Sequence, residues 1–429
     1  MNYITLVGHV QSGKTNEEIN FCYRSVNYHN IPVIFIVRNI TADQNQLQKR
    51  FKLFGNSIKY TSLKTLTIET GVTFLKNNGV IILLCNHHQL SKVCKIIEEY
   101  DGKYNLCIDE VDFSIKTKNK ETITDYYMDI LKKSATSILG ATATPVAVFS
   151  TQPECSVIKK LNPNTNYKGL SSLNVEFVNS IISTNNPRSD YGSIKNIYSS
   201  CLSKDFCILL HNIYSKKHIQ QILASYLLEK FPEFTTIVYN GDGITVRCKN
   251  KITKFTKPLS VNSYGVLKNK YYIVDNIHYF KNYEISEVLQ ILKDDPDYKH
   301  THISIIAGCL ASRGISFVST DYKWHLTDQY YHPSNDAHGE NILQSLRILG
   351  CYTDDVPLTL WCHKGTWNDI LEQNELITKL VNNCENNTEW LCNIQKVILS
   401  KPEKRLTRKR LINTTWNKLD IDKFTLKIS

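Results

Sequence analysis

The stretch "LVGHVQSGKT", residues 6–15, decides how this chain is read. It closes an apolar run, "YITLVG" at 3–8, of the kind that makes a buried strand. Gly8 to Thr15 then fits Gly-x-x-x-x-Gly-Lys-Ser/Thr. Glycines at Gly8 and Gly13 let the backbone amides of the loop, through Gln11 and Ser12, curl around phosphate oxygens. Lys14 is placed to reach the terminal phosphates of a nucleotide, and Thr15 to ligate Mg²⁺. The next segment, "NEEINFCYRSVN", reads as a helix whose positive end faces the phosphates.

Further apolar runs lie at "PVIFIVR" (32–38), "GVIILLCN" (79–86), "YNLCIDE" (104–110) and "SILGATATP" (137–145). Segments with helical spacing separate them, such as "HHQLSKVCKIIEEY". Strands alternating with helices predict a parallel sheet covered on both faces. From about Pro153 to Asp190 the chain turns rich in Pro, Asn and Ser, which reads as a linker or domain edge. Alternation resumes with "DFCILLHN" (205–212), "FTTIVYN" (234–240), "HISIIAGC" (302–309), "KWHLTD" (323–328) and "VPLTLWC" (356–362). Between the second and third of these lies a basic, aromatic, strand-prone insertion. The expected organisation is an α/β domain over 1–160, a linker over 161–195 and a second α/β domain over 196–375. A β-ribbon inserts at about 240–280, and a helical extension with a basic tail covers 376–429.

Two more stretches carry chemistry. "LCIDEVD" ends an apolar run with Asp109 and Glu110. Asp109 is expected to hold Mg²⁺ and Glu110 to activate an attacking water. "GATATP" ends another, and the hydroxyls of Thr142 and Thr144 are expected to bond Asp112 across neighbouring strand tips.

The order of these three stretches resembles motifs I, II and III of superfamily-two helicases and translocases. "AGCLASRGISF" (307–317) is similar to motif V of that family and "ILQSLRILG" (342–350) to motif VI. Their spelling is similar to helicase-like domains found beside restriction-type nucleases. The resemblance spans roughly residues 4–362. It implies two tandem RecA-like domains with ATP in the cleft between them, and ATP hydrolysis with Mg²⁺. It implies Arg347 as the arginine finger, Gln344 at the γ-phosphate or water, and Arg313 beside Gly314 as a second cation. It further implies a DNA or RNA track, with Arg38, Asn39, Thr41, His88 and Asn212 as candidate contacts and the ribbon as a possible addition. The chain departs from the family in two places. Almost nothing precedes the phosphate loop, so loose base recognition is expected. "RILGCYTDD" offers no second arginine, so an attenuated ATPase is open, as are a remodelling subunit that does not unwind and a binding module with a relic site.

The net charge of +11 favours a polyanionic partner, and the tail residues Lys404, Arg405, Arg408, Lys409 and Arg410 concentrate part of it. No apolar run approaches the roughly 20 residues that span a bilayer, and no signal peptide is read, so an intracellular protein without a membrane partner is expected. Abundant Asn, Lys, Ile and Tyr point to an AT-rich genome such as that of a virus or a parasite; the cytoplasm, with a viral factory or virion as the viral alternative, is the expected site, and a nuclease or viral replication or transcription complex the expected partner. The 13 cysteines form no Cys-x-x-Cys pair. The closest, Cys201/Cys207 and Cys384/Cys392, lack structural-zinc spacing, so buried reduced thiols are expected. His325, His332 and His338 lack it too, and no metal is expected there.

Overall fold

The runs "VIFIV" and "VIILL" are buried at every position, as befits strands covered on both faces. In the computed structural model they form β2 (Val33–Val37) and β4 (Val80–Leu84) of a seven-stranded sheet. The other strands are β1 (Asn2–Val7), β3 (Tyr60–Ser62), β5 (Asn105–Ile108), β6 (Ser137–Thr142) and β7 (Val157–Lys160). The order is β3-β4-β2-β5-β6-β1-β7, with every pair parallel. Parallel neighbours need crossover connections. Here α1 (Lys14–Asn27), α2 (Thr41–Leu53), α3 (Ile68–Lys76), α4 (His87–Tyr100) and α5 (Ile123–Ser134) supply them. Strand residues alternate between two cores. Ile34, Ile36, Ile81, Leu83 and Leu106 face one, while Val33, Phe35, Val37, Ile82 and Cys107 face the other. Each fully buried side chain of this size contributes about 1.5–3 kcal/mol.

The second sheet has β11 (Phe234–Asn240), β16 (His302–Ala307), β10 (Ile208–His211), β17 (Asp328–Tyr330), β19 (Leu358–Cys362) and β9 (Leu173–Phe177) in that order, all parallel. The insertion adds β12 (Gly243–Cys248) and β13 (Lys251–Phe255), each antiparallel to its predecessor, then β15 (Ile277–Phe280) and β14 (Tyr271–Val274). The expected ribbon is thus an extension of the sheet. Helices α6 (Tyr191–Leu202), α7 (Lys217–Lys230), α8 (Ile285–Asp294), α9 (Glu340–Gln344) and α10 (Lys364–Cys384) follow, with a small ribbon of β8 (Tyr167–Lys168) and β18 (Gly350–Cys351).

The described residues are 2–114, 122–145, 148, 157–179, 186–212, 216–248, 251–255, 271–274, 277–280, 283–298, 301–308, 314–333, 340–352 and 355–385. The chain divides into two compact α/β units. Met1–Asn164 and the chain from Gln373 belong to the first, while Thr165–Ala337 and Asn341–Glu372 belong to the second. The two parallel-sheet α/β domains read from the alternation are therefore present. Arg313, His338 and the basic tail with Lys404, Arg405, Arg408, Lys409 and Arg410 lie outside the described residues.

Three details differ from the expectations. "KWHLTD" is not a strand. His325 makes only an isolated bridge to Val318, and β17 starts at Asp328, because this segment meets the sheet only at its end. The Asn- and Ser-rich stretch read as a linker carries β9, an edge strand with half of its surface outward. The cysteines are not all buried: Cys351, on the small ribbon, is exposed, and Cys85 and Cys248 are half-buried. Among the described residues no helix is long and apolar enough to cross a membrane.

Candidate nucleotide-binding site

In an open parallel sheet, ligands sit beyond the carboxyl ends of the strands. The loop after β1, Asp109 and Glu110 after β5, and Thr142 at the end of β6 share that edge of the first sheet. One strand, β6, separates the loop strand from the carboxylate strand.

The loop's shape follows from its residues. Gln11 and Gly13 hold left-handed conformations, with φ of 55° and 94°. Glycine takes such a φ without strain. A Cβ on Gly8 would fall 2.7 Å from the Ser12 hydroxyl and 3.0 Å from the Lys14 stem, so only glycine lets the loop close this tightly. Gly13 caps α1, which starts at Lys14 and turns its first amides toward the loop. Lys14 Nζ donates to the carbonyls of His9 (2.9 Å) and Gly8 (3.4 Å). The Ser12 hydroxyl is buried with no hydrogen-bond partner in the protein. Burial, then Lys160 and Lys14, lower the His9 pKa. Such a glycine cradle, with a buried hydroxyl and a lysine whose ammonium donates to loop carbonyls, fits a phosphate chain.

Asp109 and Glu110 are half-buried neighbours. The Asp109 carboxyl is pushed up to about 7, first by desolvation at the strand end, then by Glu110 and Asp43, against the pull of Lys14 and Arg38. Carboxylates crowded until they hold protons fit a divalent cation, which replaces the protons. Mg²⁺ would be held by Thr15 and Asp109. Glu110 has φ 52°, a strained backbone of the kind found at functional sites.

The Thr142 hydroxyl donates to the fully buried Asp112 at 3.2 Å and accepts from the Thr144 amide at 2.9 Å. The three expected coupling residues therefore meet. Arg38 lies elsewhere than on an open face. Its Nε pairs with Asp43 at 2.8 Å. Burial opposes its charge, but Asp43, Glu110 and Asp109 outweigh that and raise its pKa, so it belongs electrostatically to the carboxylate site. Asn39 is exposed in the turn after β2, Thr41 is exposed at the start of α2, and His88 is exposed at the start of α4. Asn39 Oδ1 accepts from Asn86 at 2.9 Å, and the rings of His87 and His88 lie 3.7 Å apart. In the second unit, Asn212 donates to the Ser345 carbonyl and accepts from Gln329.

Gly314, Gln344 and Arg347 are also in the second unit. Gly314 has φ 70° and Gln344 is buried. Arg347 lies past the end of α9 and is 4% exposed. Its guanidinium donates to the Ile315 carbonyl from Nε (3.0 Å) and Nη2, and to the Gln344 carbonyl from Nη1 (3.3 Å). Arg347→Ala is expected to destabilise the chain by about 1–3 kcal/mol, because it strips charge-assisted bonds from buried carbonyls. Thermal melting checks this; an unchanged melting point would show that these bonds are dispensable to the fold.

Glu18 went unread in the sequence. In the fold, Glu18 is fully buried on α1, and neither carboxyl oxygen has a hydrogen-bond partner in the protein. Burial first, then Asp109, raise its pKa well above the ordinary value, and Lys14 only partly offsets them. The folded chain keeps this proton over a pH range where the unfolded chain has lost it, so Glu18 costs stability increasingly as pH rises above the ordinary carboxylate range. Glu18→Met is expected to raise stability by about 1–3 kcal/mol at neutral pH, with the gain shrinking below the ordinary carboxylate pKa. Melting curves across pH in metal-free buffer check this; a lower melting point at neutral pH would count against it.

No family model and no curated protein matches the chain. Solved structures do. The S. cerevisiae protein Dbp5 bound to RNA and ADP BeF3 aligns with a TM-score of 0.49 at 12% identity, over 92% of this chain and 89% of that one. A DEAD box protein from the hyperthermophile Methanococcus jannaschii aligns with a TM-score of 0.45 at 14% identity, over 88% and 87%.

Proposed function

We propose that the chain is a nucleic-acid-stimulated ATP hydrolase of the superfamily-two helicase and translocase class. The observation that carries this reading is the gathering of Lys14, Asp109 and Glu110 at one edge of a parallel sheet, beside a loop that only glycine lets close. Loop amides and Lys14 bind the phosphates and offset the charge that develops on them. Thr15 and Asp109 hold Mg²⁺, which when bound neutralises phosphate charge. Glu110 orients the attacking water and accepts its proton. Asp112, Thr142 and Thr144 tie the carboxylate strand to the end of β6, so a shift at Asp109–Glu110 is passed to the neighbouring loop. Asn39, Thr41 and His88 offer exposed donors and rings to a phosphodiester backbone.

The test is ATP turnover by the full chain with single- and double-stranded DNA and RNA, each alone, beside strand displacement on the best activator. Turnover that rises severalfold with one class of polymer supports the reading. Stimulation without displacement assigns a remodelling or translocating ATPase. No turnover with any polymer leaves a binding module with a relic site.

A further inference from the structure

The second unit buries a cluster outside the nucleotide site. Cys201 lies near the end of α6, Cys207 just before β10, and Asp328 opens β17. Their sulfur and oxygen atoms lie within 4.8 Å of one another, and all three residues are buried. Sheet register brings them together. Leu209 stands opposite Asp328 in a parallel pair, and Cys207, two residues before Leu209, points to the same face. Cys201 packs into the core on that face.

Asp328 is gripped by four neighbours. Lys204 Nζ donates at 2.7 and 2.8 Å, the Trp361 indole at 2.9 Å to Oδ1, the Thr327 hydroxyl at 2.8 Å to Oδ2, and the Cys207 thiol at 3.3 Å to Oδ2. Of these donors only Lys204 reaches solvent appreciably, with its side chain 29% exposed. It lines a cavity of about 300 Å³ together with Asn174, Glu176, Thr359 and Trp361.

We propose that Cys201, Cys207 and Asp328 form a binding site for a borderline-soft divalent metal ion of the zinc class, with Lys204 as its gate. Two thiolates and a carboxylate are a ligand set that zinc takes and Mg²⁺ does not. The entering ion displaces one proton from each thiol, so two protons leave for each ion bound. The Lys204 ammonium swings into the cavity, where Glu176 lines the same space. Two thiolates, one carboxylate and a dication sum to one negative charge, and until the ion enters, the Lys204 ammonium competes with it for the Asp328 carboxylate. Trp361 and Thr327 stay on the two carboxylate oxygens and fix the ligand's orientation, as outer-shell donors do at metal sites.

The test is titration of Co²⁺ into the full chain after metal stripping. A sulfur-to-cobalt charge-transfer band is expected at one equivalent and should be displaced by Zn²⁺. It should be lost in Cys201→Ser and in Cys207→Ser, and retained in Cys22→Ser, a buried thiol of the first unit. Lys204→Met should tighten Co²⁺ binding about tenfold or more, since one competing charge-assisted hydrogen-bond donor is gone. Absence of the band in the unaltered chain overturns the proposal without recourse to any variant. So does a band that survives both serine substitutions. Weaker or unchanged binding in Lys204→Met overturns the gate.

Discussion

On the proposed function, Lys14→Ala is expected to lower ATP turnover by about 10²- to 10³-fold or more, the cost of removing one preorganised donor to developing charge. The loop holds the Lys14 ammonium in place. Its Nζ is bound by the carbonyls of His9 and Gly8, neutral acceptors that phosphate oxygens outcompete once a nucleotide enters. The same geometry sets the structural cost. Alanine removes these carbonyl bonds, each worth about 1 kcal/mol net, so the melting point falls by only a few degrees while the sheet and α1 stay intact. Lys14→Arg keeps the charge, but a planar fork replaces a compact ammonium beneath a loop where a single Cβ on Gly8 would already collide. It too is expected to lose most activity. Steady-state hydrolysis with saturating polymer, beside melting curves, checks both variants. Turnover in Lys14→Ala within threefold of the unaltered chain would sink the assignment of the loop.

The parts of this molecule that were legible in the sequence are the ones built from contiguous residues. Gly8 to Thr15 announces itself because the loop's shape is encoded within one short stretch. Asp109 and Glu110 are legible because they close a run of buried strand residues. Asp112 and Thr142 could be paired in advance because one follows a strand end and the other closes the neighbouring strand. What escaped depends on register or on partial exposure. β9 hides in a polar stretch because an edge strand needs apolar residues on one side only. Glu18 looks like half of an acidic helix face, and only the packing of α1 against the sheet turns it inward. Arg38 reads as a surface cation until Asp43, in the first turn of α2, claims it. Cys201, Cys207 and Asp328 are brought together by the alignment of β10 with β17, the last two standing 121 positions apart in the chain, and no spacing rule reaches that far.

Glu110→Gln is the second large effect, and it separates binding from chemistry. The substitution keeps size and hydrogen-bonding reach but cannot accept the proton of the attacking water. A positioned general base contributes about 10²- to 10⁴-fold, so turnover falls by that factor. ATP binding persists, because the loop and Lys14 are untouched and one negative charge near the phosphates is gone. A second consequence follows from the Asp109 carboxyl, which burial and then Glu110 push up to about 7. Asp109 must lose its proton to bind a divalent ion. In the unaltered chain, ion binding therefore weakens as pH falls through about 7. Without the charge on Glu110, the Asp109 pKa drops, and the loss of binding moves to lower pH. Nucleotide binding measured with Mg²⁺ by calorimetry across pH, beside turnover, checks both halves. Lost turnover with retained binding and an acid-shifted profile places Glu110 at the water and beside the ion. Lost turnover with an unshifted profile keeps the base but removes the electrostatic link to Asp109. Normal turnover moves the base to another residue altogether.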